Sequence, residues 1–353
     1  MSDFKGLKLG VLDQSPVAAG STPGQALQNS IELARTVDRL GYTRFWMSEH
    51  HAMDTLACTA PEIVLARIGG ETERIRIGSG GIMLPHYSAF KVAEVFRTLH
   101  ALYPGRVDLG LGRAPGGGPV EALALKRERG TKMQDDFSDQ VAELLAYFDH
   151  DFPAGHPFSS LRVAPEMPGA PDVWMLGSSQ WSSNAAAEFG LPYAFAHFFF
   201  GLGTRQAIET YQHTFVPSSR RTRPEAMAAV GVICAETQDE AEYLATSVRL
   251  LQRRIRMNDR RPVAAPEDAV QELQAIGGPS PEEGEWPRYF VGTPARVREQ
   301  LEVMAAALGI DELVVNTITW DHAKRLRSYE LLAQEFGFPA LADSEFATRQ
   351  GMK

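Results

Sequence analysis

The sequence predicts a single (β/α)8 barrel of the TIM type, an α/β fold with loop insertions, across residues 1–353. Three observations predict it. Short apolar runs alternate with segments of helical period. Eight such runs can be counted, and small or polar residues gather just after them, where a barrel of this type keeps its site. Strands that alternate with helices pair in parallel, because a parallel neighbour is reached only through a crossover. Eight of them favour closure over an open doubly wound sheet.

The first strand is read at residues 7–12 and ends at Asp13, Gln14, Ser15 and Pro16. Residues 23–40 follow with Leu27, Ile31, Leu33, Ala34, Val37 and Leu40 at helical spacing, and Gly41 stands where a helix end tolerates positive φ. A second strand at 44–48 leads to Glu49, His50 and His51, then to a helix from Pro61. The third strand, 75–82, precedes a helix over 89–102, and the fourth, 106–112, precedes one that includes 137–148. Later strands are read at 173–176, 193–196, 228–234 and 313–317, with helices at 182–189, 205–215, from Asp239, and at 322–336. Three stretches fall outside this repeat and read as insertions, at about 149–172, 216–224 and 258–288; the last is rich in Pro, Glu and Gly.

Composition narrows the function. Hydrophobic residues make up 44% of the chain, enough for a sizeable core, and the net charge of -9 disfavours a polyphosphate partner such as nucleic acid. Two distant cysteines, Cys58 and Cys234, supply neither a disulfide framework nor a structural zinc site, and read as apolar fillers in a reducing compartment. The N-terminus enters a strand rather than a signal segment, and no apolar run approaches the roughly 20 residues that span a bilayer. A cytoplasmic protein with no membrane partner is expected.

The residues after the strands are the candidate site. In the run Phe45-Trp46-Met47-Ser48-Glu49-His50-His51, successive side chains point to opposite sides, so the two histidines are poorly placed to share a metal ion, and no metal site is expected. One of them facing the site could move a proton near neutral pH; hydrogen bonding in the core is the plainer alternative. Gly80 and Gly81 mark a bulge, a tight barrel corner or the close approach of a flat ligand. Gly110 to Gly118 fails the dinucleotide pattern, since Pro115 takes the third glycine position, and Arg113 suits a phosphate or carboxylate better. Ser178 and Ser179 precede a helix, either as an anion cradle or as ordinary caps. Gln14, His51, His197, Phe198 and Trp320 are candidates for lining a substrate pocket.

These motifs, with Gly78 to Pro85, Tyr103 to Arg113, Leu176 to Ser179 and Val291 to Pro294, resemble bacterial-luciferase-like flavin monooxygenases, nearest the stand-alone bacterial branch. The resemblance implies a barrel that binds reduced FMN or, in some relatives, the deazaflavin F420. It implies a non-prolyl cis peptide at Gly80-Gly81 beneath the flavin ring, Arg113 with Ser178 and Ser179 on the phosphate, and His50 as the catalytic histidine. Gly112 stands where the luciferases carry a reactive cysteine, and a second phosphate arginine has no counterpart around 134–139. The implied reaction takes reduced FMN from a separate reductase and O2 to oxygenate a small-molecule substrate, in a homodimer. An F420-dependent dehydrogenase and a non-catalytic flavin-binding protein are the alternatives.

Overall fold

The computed structural model describes residues 6–125 and 135–340. In chain order the elements are β1 (Lys8–Asp13), α1 (Pro23–Leu40), β2 (Arg44–Met47), α2 (Pro61–Glu71), β3 (Arg76–Met83), α3 (Ala89–Leu102), β4 (Val107–Gly112), α4 (Pro119–Leu125) and α5 (Phe137–Asp149). Then come β5 (Asp172–Gly177), α6 (Gln180–Glu188), β6 (Tyr193–Ala196), α7 (Thr204–Thr214), β7 (Ala226–Cys234), α8 (Gln238–Arg256), α9 (Pro266–Ala275), β8 (Tyr289–Gly292), α10 (Pro294–Leu308), β9 (Glu312–Asn316) and α11 (His322–Phe336).

Local chemistry sets several boundaries. Thr22 caps α1 by accepting from Gln25 N, a proline opens the helix, and Gly41 closes it at φ 90°. Strands such as β2 and β9 are buried at every residue, because side chains on one face fill the barrel and those on the other meet the helices. That is why they read as unbroken apolar runs.

The barrel closes as expected, with eight parallel strands in the order β1-β2-β3-β4-β5-β6-β7-β9 and back to β1. The structure adds a ninth strand. β7 is shared: Ala228 to Gly231 pair with β9, while Gly231 to Cys234 pair with β8 outside the closed ring. A Cβ on Gly231 would lie 2.3 Å from the Tyr289 ring, so glycine is what lets β8 come alongside. β8 and α10 are absent from the sequence reading. The stretch 258–288 also holds more order than an excursion, since α9 lies inside it.

Inside the barrel two layers lie below the mouth. At the N-terminal ends of the strands, Arg44 Nε and Nη2 donate to Glu312 at 2.8 and 3.0 Å, and Nη1 donates to Asp108 at 2.9 Å. Above them, Trp46 and Trp174 pack edge to face, with ring centroids 5.5 Å apart, among Leu12, Met227 and Val314. Trp46 Nε1 joins the layers by donating to Asp108 at 2.9 Å. The lower half of the barrel is therefore filled, and the C-terminal ends of the strands are left for chemistry.

Candidate active site

The alternation of β2 carries on past its end. Ser48 and His50 meet, Oγ to Nδ1, at 3.1 Å, and Glu49 and His51 meet at 2.7 Å, so the histidines occupy opposite faces, as period-two spacing requires. Burial first, and the neighbouring His51 second, lower His50 from 6.5 to about 4, so at neutral pH its imidazole is uncharged. His51, expected to line the pocket, is gripped by Glu49 and packs edge-on to His86, with centroids 6.0 Å apart.

The peptide between Gly80 and Gly81 is cis. The pair lies within β3 rather than at its end, and the register against β4 shifts between Ser79 and Ile82, the bulge that glycine signals. Packing alone also demands glycine at Gly81 and crowds the place of Gly80. A Cβ on Gly80 would lie 2.6 Å from Leu12, and one on Gly81 2.6 Å from the Gly110 carbonyl.

Arg113 and the serine segment, far apart in sequence, come together. The Arg113 guanidinium lies 4.2 Å from the centroid of Trp181, the second residue of α6, and pairs with Asp135 at the surface. Ser179 is the N-cap of α6, accepting from Ser182 N at 3.4 Å, while Ser182 Oγ donates to the Ser179 carbonyl at 2.7 Å. The capping role is thus filled, and Ser178 stands immediately before it. Of 134–139, Gln134 lies outside the described residues.

The other candidates divide. Phe198 packs on the indole layer inside the barrel, and Gln14 is buried at the end of β1. Trp320 Nε1 donates to the Ala19 carbonyl at 3.0 Å, tying the loop after β9 to the loop after β1. His197 is held by its neighbours. It is fully buried with both nitrogens engaged, Nδ1 with Thr204 Oγ1 at 2.7 Å and Nε2 with the Pro287 carbonyl at 3.1 Å, so it locks loops and offers no nitrogen to a ligand.

Sequence reasoning missed the ties that frame the mouth. Val263 exchanges backbone bonds of 2.8 Å with Val17 and Ala19, and Val17 N donates to the Thr55 carbonyl at 2.9 Å, so three loops form a small strap. Arg260 Nη1 donates to Glu121 of α4 at 2.6 Å and to the Ala52 carbonyl at 2.9 Å. It noted Glu49 at the rim but missed its partners: the buried carboxylate also takes the Tyr87 hydroxyl at 2.7 Å and Met83 N at 2.9 Å.

The match with known proteins covers this architecture. Residues 7–312 fit the luciferase-like monooxygenase family. A luciferase-like monooxygenase of Escherichia coli strain K12 is 36% identical over 330 residues, 93% of this chain and 96% of that protein. The N-acetyl-S-alkylcysteine monooxygenase of Bacillus subtilis strain 168 is 33% identical over 329 residues, 93% of this chain and 97% of that protein. The crystal structure of apo-MsnO8 superposes with a TM-score of 0.87 at 48% identity, covering 95% of this chain and 99% of that one. With the family match spanning most of the chain and a relative 36% identical along 93% of it, the chain belongs to the luciferase-like monooxygenase family.

Proposed function

We propose that the protein is a cytoplasmic flavin-dependent monooxygenase that takes reduced FMN from a separate reductase and uses O2 to oxygenate a small organic substrate, as a homodimer. The observation that carries this reading is the meeting of Arg113 with the N-terminal turn of α6 at the barrel mouth that also holds His50. A guanidinium beside the first turn of a helix and a serine hydroxyl is a donor set for a phosphate. The Arg113–Asp135 pair is half exposed, so an incoming phosphate displaces the carboxylate at little cost.

In this reading Arg113, Ser178 and Ser179 hold the phosphate, and the backbone at Gly80 and Gly81 supports the ring. Reduced FMN, when bound, supplies the electrons that activate oxygen. His50, neutral and held through Nδ1 by Ser48, would take up or return a proton at the reacting atoms through Nε2, for which the described residues show no hydrogen-bond partner. Gln14, Phe198 and Trp320 border the space left for substrate, and the strap through Val17, Thr55 and Val263 limits the entry of water. The relative named N-acetyl-S-alkylcysteine monooxygenase supports a small organic substrate.

The test is anaerobic titration with reduced FMN and, in parallel, reduced F420, followed by admission of O2 with a panel of small thioethers and ketones. Reduced FMN should bind, and oxygen uptake should exceed peroxide release when a substrate is present. Binding of F420 in place of FMN would move the protein to the dehydrogenases. Binding without turnover of any compound would make it a flavin carrier.

A further inference from the structure

Glu49 is fully buried, and three donors converge on it: His51 Nε2 and the Tyr87 hydroxyl on Oε1, both at 2.7 Å, and Met83 N on Oε2 at 2.9 Å. A buried carboxylate is costly unless its lone pairs are met, and these are met from the elements that frame the mouth. Met83 is the last residue of β3, Tyr87 precedes α3, and His51 lies in the loop after β2. The effect reaches further through His51, whose backbone N donates to the Gly116 carbonyl at 2.9 Å. His86, edge-on to the His51 ring, donates from Nε2 to the Pro115 carbonyl at 2.9 Å. The glycine-rich run that follows Arg113 is thus held by the same group that holds the histidine loop.

We infer that Glu49 is a positioning residue for the chemistry at His50: it grips His51 through the Nε2 hydrogen and ties the loop after β2 to the end of β3, leaving His50 as the imidazole of the pair that serves the mouth. This rests on His50 being the reacting imidazole, as proposed above. Ser48 and Glu49 divide the task. Ser48 orients His50 on the barrel side, and Glu49 holds His51 on the opposite side. Burial and the proximity of His51 together keep His50 uncharged at neutral pH, the state in which it can accept a proton.

The test is nitrogen–proton correlation NMR of the histidine rings in ligand-free protein, with His50→Asn and His51→Asn assigning the two signals. In the unsubstituted protein His51 should carry its proton on Nε2, protected from exchange. In Glu49→Gln that proton should exchange at least about tenfold faster, and Tyr87→Phe, which removes one donor and keeps the carboxylate, should shift it in the same direction by less. Turnover should fall about tenfold in kcat for Glu49→Gln, with KM for the organic substrate nearly unchanged. An unaltered His51 signal in Glu49→Gln, or an unaltered kcat, would overturn the inference. If Glu49→Gln does not fold, an unaltered His51 signal in Tyr87→Phe overturns it instead. Should the unsubstituted protein bind no flavin, the monooxygenase reading falls, and the ligand-free spectra still decide whether Glu49 holds His51.

Discussion

His50 ionises near 6.5 in an unfolded chain and near 4 in this fold, so between those values the unfolded state binds the extra proton. Stability is therefore fully kept above about 6.5 and lost as the pH falls towards 4, the sign expected for a histidine buried in its neutral form. His50→Asn should lose less stability than the unsubstituted protein between pH 7 and 5, by on the order of 1 kcal/mol in urea melts. Arg113→Ala should weaken reduced FMN about tenfold or more, some 1.5 kcal/mol by fluorescence titration, while Asp135→Asn should not weaken it. His50, Arg113 and the paired serines stand out in the sequence as candidates because polar or small residues interrupt the ends of apolar runs. The hold on Glu49 and the locking of His197 were not, because Tyr87 lies 38 positions from Glu49 and Pro287 lies 90 from His197. Contacts of that span leave no periodic trace.

At the scale of elements, legibility followed burial. A strand covered on both faces has an unbroken apolar run, which is why all eight ring strands were found. β8 escaped because Tyr289 to Gly292 is four residues long, is buried at alternate positions, and follows a segment of prolines and glutamates. α4 escaped for the opposite reason: none of its residues is buried, and Val120 and Leu123 are exposed. With no core to anchor it, α4 depends on the Glu121–Arg260 pair and on its seat over Gly117 and Gly118. Arg260→Ala should speed chymotryptic cleavage after Leu123 while leaving the thermal midpoint within a few degrees, since a partly buried surface pair contributes about 1 kcal/mol. Equal cleavage rates would mean that something other than the arginine holds this helix.

The whole barrel depends on its charged floor. Arg44 is buried between Asp108 and Glu312, so Arg44→Met would strand two carboxylates away from water, although Arg76 still reaches Asp108. The loss should be about 3–5 kcal/mol in urea unfolding, far beyond the cost of an exposed arginine. Light scattering should find twice the mass of one chain if the protein is the proposed homodimer. No helix among the described residues is long and apolar enough to cross a membrane. Closure carries a consequence for biosynthesis. β1 takes its second neighbour from β9, and the strap over the mouth waits for Val263, so the earliest strand of the barrel is among the last to be completed. Until Asn316 emerges, the nascent sheet has an open seam beside Leu9 and Val11. Resistance of stalled chains to protease should therefore arrive in one late step, not accumulate strand by strand.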